Sequence, residues 1–181
     1  MSLSFLGPLH PLIVHTPIVM LIFSAFFAVV GRLFDRDWLR KTSVLMLVFG
    51  FLGAFLAVRS GTIAHRVPEH QQGVPEKAID EHGGGGVWVM YLSGGALLTL
   101  GIASRLAGGA ASALSLVALL LQLLAASAVS VTAYRGGKLV YEHGANVKVD
   151  GQLVKSANAG KQAPDEDEEG ERGREHGRPD R

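Results

Sequence analysis

Four apolar stretches, each long enough to cross a bilayer, constrain this chain more than anything else in it. A helix needs about 20 predominantly apolar residues to cross a hydrocarbon core of ~30 Å. Stretches at about 11–34, 43–64, 76–105 and 111–134 have that length. Inside lipid every backbone N–H and C=O must be satisfied within its own segment, so such stretches are read as helices. The connections between them are short, which makes neighbours antiparallel. The expected fold is all-α, an integral-membrane up-down four-helix bundle. Charge agrees with this, since only 18% of residues are charged, against about 25% in a soluble domain. Many of those charges fall in the last twenty residues. Residues 135–149 read as an amphipathic element at the membrane surface, and 151–181 as a polar, charged and disordered tail.

Local features punctuate the spans. Met1 to Gly31 contains neither Lys nor Arg, so the first span reads as a retained transmembrane helix rather than a cleavable leader. Pro11 suits the first turn of that helix, where a missing N–H costs nothing. Pro17 lies deeper and predicts a kink. Arg32 to Lys41 reads as a charged loop with Trp38 at interfacial depth. In the second span Gly53, Ala57 and Gly61 share one face and permit close approach, by a helix first and a flat ligand second. Gly83 to Gly86 are expected to interrupt the start of the third span, because each helical glycine costs about 1 kcal/mol. Gln122, the one strongly polar side chain of the fourth span, reads as an interhelical hydrogen bond.

The histidines are distributed unevenly. His10 and His15 open the first span, His65 and His70 follow the second, His82 precedes the third and His143 follows the fourth. In an up-down bundle all six lie toward one membrane face. Ionisable residues in a membrane segment mark functional sites by default, and imidazole is a ligand for haem iron, copper and zinc. Two histidines on facing helices suit axial ligation of a b-type haem. The pair expected to ligate is His15 with His82, the two most plausibly inside the membrane, with His10, His143 and His65 as further candidates. Gly61 and Gly86 would make room for a flat macrocycle, and Arg59 and Arg66, with Arg135, are cations for its propionates.

Two motifs carry a family resemblance. His10-Pro11-Leu12-Ile13-Val14-His15-Thr16-Pro17-Ile18 resembles the opening His-Pro-Leu-x-Val-His-Phe-Pro-Ile of the bacterial membrane-protein family catalogued as domain of unknown function 2231, departing from it at Thr16. Gly136-Gly137-Lys138-Leu139-Val140-Tyr141-Glu142-His143-Gly144 resembles its closing Gly-Gly-x-Leu-Val-Tyr-x-His-Gly. A histidine at the start of the third span, here His82, also fits. The resemblance covers Leu9 to about Val149. It implies four spans and draws attention to His10, His15, His82 and His143, and it implies no reaction.

Several classes are set aside. There is no cysteine, which removes disulfides, iron–sulfur clusters, c-type haem attachment and thiolate zinc sites. Net charge near zero gives no argument for nucleic acid. With the third span proper taken from Val87, no carboxylate lies inside the apolar runs, which argues against an autonomous proton pump. No acid–base pair or nucleophile constellation stands out, so an electron carrier or subunit is expected rather than an autonomous enzyme. The leading expectation is a small cytochrome b-like protein holding one haem near one membrane face. It would exchange electrons with quinone and a redox partner protein or a larger respiratory-type complex. The alternatives are a copper- or zinc-binding membrane protein and a non-catalytic accessory subunit. Arg32, Arg36, Arg40 and Lys41 crowd the far end of the first span. The positive-inside rule therefore places both termini outside a bacterial inner membrane.

Overall fold

A computed structural model describes residues 6–64, 71, 73–149 and 151–153. The elements are α1 (Leu6–Ile13), α2 (His15–Leu33), α3 (Asp37–Ala64), α4 (Glu76–Ala103) and α5 (Gly108–Tyr141), followed by the two-residue strands β1 (Lys148–Val149) and β2 (Gln152–Leu153). Four helical stretches are long and apolar enough to span a membrane: Leu6–Leu33, Asp37–Ala64, Glu76–Ala103 and Gly108–Tyr141. The chain is an all-α, multi-pass membrane protein. Helices α2 and α3 pack together, as do α4 and α5, and α3·α4 and α2·α5 contacts close a four-membered ring, with α1 laid on α3.

The inward face of the first span is a seam of Gly7, His10, Val14, Pro17, Leu21, Ser24, Ala28 and Gly31, buried or half-buried. The alternating three- and four-residue spacing is that of helices packed at a shallow angle. Leu21 meets Leu47, Ala54, Val89, Ala96 and Val129 in the central core. The outward faces are equally apolar, with Phe23, Phe26, Phe49, Phe55, Trp88 and Leu98 exposed. Such a surface is excluded from water and belongs against lipid chains. Across the core, the Ser24 and Ser43 hydroxyls each donate to the other residue's carbonyl, at 3.0 and 2.8 Å. Both also reach Gln122 Oε1, at 3.1 and 3.0 Å. One polar cluster thus ties α2, α3 and α5, and Gln122 makes the interhelical bond its sequence position suggests.

Five features differ from the sequence expectation. The first span begins at Leu6, so Pro11 lies inside α1 rather than in its first turn. The helix is interrupted at Val14, between α1 and α2, because Pro17 offers no N–H to the carbonyl four residues before it. Asp37 to Lys41 is the first turn of α3 rather than loop, with Asp37 favourably placed at the helix start. Gly83 to Gly86 do not interrupt α4, which is continuous from Glu76 to Ala103. A methyl on Gly85 would stand 2.5 Å from Thr132 Oγ1, so that glycine is where α4 and α5 touch. Residues 135–141, expected as a separate surface element, prolong α5 to Tyr141. Beyond it Gln71 clamps the chain, donating from Nε2 to the Gly144 carbonyl and accepting from the Asn146 N–H. Val74, Ile79, Leu139 and Ala145 form a small second core beneath this clamp. Gly151–Leu153 belong to the β1–β2 hairpin, and the rest of the tail lies outside the described residues.

Candidate functional site: a paired imidazole at one membrane face

The seam of the first span carries His10 inward, where its imidazole meets that of His82 from α4. The ring centroids are 6.2 Å apart and the planes are nearly perpendicular, at 84°. Both rings are half-buried, and each is held by the neighbouring helix of its own pair. His10 Nδ1 lies 2.9 Å from Ser60 Oγ on α3. The single Ser60 hydroxyl proton points at the Ala57 carbonyl, 3.1 Å away, so the serine oxygen accepts from His10 Nδ1–H. His82 Nδ1–H donates to the Thr132 carbonyl of α5 at 3.0 Å, since a carbonyl can only accept. With the proton on Nδ1 in each ring, the lone pair is on Nε2. An imidazole whose other nitrogen donates to a protein oxygen is oriented as metal-ligating histidines are.

Glycines seat the two rings. A methyl on Gly61 of α3 would come 3.2 Å from His10 Cε1. On Gly136 of α5 it would come 2.7 Å from His82 Cε1. Gly61 therefore lies at the site, as the sequence suggested, but it receives the imidazole itself. Gly86 does not touch either ring, its nearest neighbour being Val58 at 3.8 Å. Gly136, Ser60 and Thr132 were not singled out by sequence reasoning. Gly136 stands inside the closing motif, which is the one signal that pointed to its neighbourhood.

His15 is not paired with His82. It is exposed on the outward face, in line with the exposed Leu12, Val19 and Phe23. Its Nδ1–H donates to the Pro11 carbonyl at 2.7 Å, across the interruption between α1 and α2. His143 follows the end of α5, with a buried Nδ1 that has no partner among the described residues. His65, Arg66 and His70 lie outside the described residues. Arg59 is exposed in the last turns of α3 and makes no side-chain ion pair among the described residues. Arg135 is committed to Glu81, at 3.7 Å to its carboxylate and 3.3 Å to its carbonyl. Among the described residues no three ligating side chains converge.

The family model described as "Predicted membrane protein (DUF2231)" matches residues 6–149. The chain belongs to the DUF2231 family. No curated protein and no solved structure matches it. The DUF2231 match takes in the opening motif with His10, the start of α4 with His82 and the closing motif with Gly136, so the whole imidazole site lies within the shared region.

Proposed function

We propose that this protein is a small membrane cytochrome b-like electron carrier in which His10 and His82 would hold one haem. The observation that carries this reading is the imidazole pair. With centroids 6.2 Å apart, the two imidazoles are near enough for both to hold one metal centre. A haem brings four ligands of its own, so two protein ligands complete it, whereas a structural zinc site takes four from the protein. That arithmetic favours haem over zinc or copper at a two-histidine site. Helix α1 packs on α3 rather than on α4, so the two imidazoles come from different helix pairs. Among the described residues, Arg59 is a cation without an ion pair that could meet a propionate.

The bound group would supply one-electron chemistry. The residues of this chain do the rest. Ser60 and Thr132 hold the ring orientations, Gly61 and Gly136 set how deep each imidazole sits, and the half-buried location limits water and so influences the potential. An electron would be exchanged at the histidine face with a quinone or a redox partner protein. The cluster of Arg32, Arg36, Arg40 and Lys41 at the opposite face supports a histidine face outside a bacterial inner membrane, by the positive-inside rule.

The test is a reduced-minus-oxidised absorption spectrum of the purified protein from cells supplied with haem. A b-type spectrum is expected for the wild type and for His15→Ala, and its loss for His10→Ala and His82→Ala. A colourless wild type overturns the reading. A spectrum that survives His10→Ala and disappears in His15→Ala overturns the assigned pair.

A further inference from the structure

On its water side the His82 imidazole lies under an apolar layer. Ile79 stands one helical turn before His82 on α4, and Leu139 one turn beyond Gly136 on α5. Gly136 seats the His82 ring, and Ile79 and Leu139 pack with Val74 and Ala145. The layer therefore sits over the ring, between it and the end of the bundle. Gln71 holds the layer down. Its Nε2 donates to the Gly144 carbonyl at 2.9 Å and its Oε1 accepts from the Asn146 N–H at 3.0 Å, so it grips the chain on both sides of Ala145.

The closed arrangement is opposed by two features of the same turn. Asn146 has a left-handed backbone, at φ 61°, a region disfavoured for a residue that carries a Cβ. His143 has a buried Nδ1 with no hydrogen-bond partner among the described residues. A buried polar atom left unpaired forfeits its hydration, and opening the turn would return it to water. The four apolar residues beneath are also separate from the central core of Leu21, Leu47, Ala54, Val89, Ala96 and Val129. The turn can lift without unpacking that core, as small cooperative units do.

We infer that residues 142–147 are a lid over the His82 imidazole, latched by Gln71, and that it opens as a local unit to let a water-borne group reach the ring. Closed, it keeps water from the site on that side. The lid does not depend on what the imidazole pair holds.

The test is thiol labelling of the full chain in mild detergent. The chain has no cysteine, so Ile79→Cys and Leu139→Cys each place one reporter beneath the lid. Reaction with a charged, water-soluble methanethiosulfonate is followed by mass. Both reporters are expected to react slowly. Adding Gln71→Ala should speed both about tenfold or more, the effect of losing two hydrogen bonds of ordinary net strength. His143→Leu replaces the unpaired atom with an apolar side chain of similar size and should slow both about fivefold. Low urea should leave the rates unchanged, since a local opening exposes little surface. Rates untouched by Gln71→Ala, or not lowered by His143→Leu, overturn the inference. So does a rate that climbs with urea from the first addition, because labelling would then follow global unfolding.

Discussion

Two glycines decide how the imidazoles sit. Gly136 has no room for a side chain, because a Cβ there would stand 2.7 Å from His82 Cε1. Gly136→Val should displace the ring and cost about 1–3 kcal/mol, as overpacking of a closed contact does. Equilibrium unfolding in mild detergent reads this directly, and an unchanged midpoint would show that His82 does not rest on Gly136. His10 and His15 show a second residue-scale constraint. They are five positions apart, and at 3.6 residues per turn they point about 140° away from each other. Only one of the two can face the bundle. The structure gives that place to His10, which shares the seam of Leu21 and Ser24, and leaves His15 on the lipid side with its Nδ1 on the Pro11 carbonyl.

At the scale of the element, α4 holds together through four consecutive glycines. Lipid explains part of this, since a helix that opens inside the hydrocarbon leaves carbonyls and N–H groups without water. Contacts explain the rest. Gly85 lies against Thr132 on α5, whereas Gly84 has nothing within 4 Å of where its side chain would be. Gly84→Ala should therefore stabilise the helix by about 0.5–1 kcal/mol, and Gly85→Ala should destabilise it by forcing α4 from α5. Thermal unfolding of the two variants side by side checks this, and the same sign for both would mean that the helix contact is not made there. The stripe Gly53–Ala57–Gly61 on α3 serves two purposes. Gly53 takes Pro17 and Thr16 at about 3 Å, and Gly61, two turns on, takes His10.

At the scale of the molecule, the charge pattern gives an orientation that can be measured. Asp35 lies between α2 and α3, beside Arg36 and Arg40, and Asn146 follows α5 at the other end. The chain has no cysteine, so Asp35→Cys and Asn146→Cys each introduce one unambiguous thiol. In intact cells a membrane-impermeant maleimide should label the second and spare the first, as the positive-inside rule requires. The reverse pattern would put the imidazole site on the cytoplasmic face. The Gln71 clamp and the small core of Val74, Ile79, Leu139 and Ala145 tie the α3–α4 connection to the end of α5 on that same side.

The number of spans, their order and the gathering of histidines toward one face follow from the sequence, because length and apolarity are one-dimensional properties. So does the proximity of the two motifs, once the helices alternate in direction. Which side of each helix faces inward was not legible in the same way. In water the core face of a helix is apolar and the other polar, and the period can be read. In lipid both faces are apolar, as Leu21 and Phe23 show from opposite sides of α2, and the period carries no such contrast. That is why the sequence favours His15 over His10 as the partner of His82, and why Ser60 and Thr132 gave no signal. Only the packing of α1 on α3 and of α4 on α5 brought His10 and His82 together, because close approach at small residues, rather than exclusion of water, sets the inward face inside a membrane.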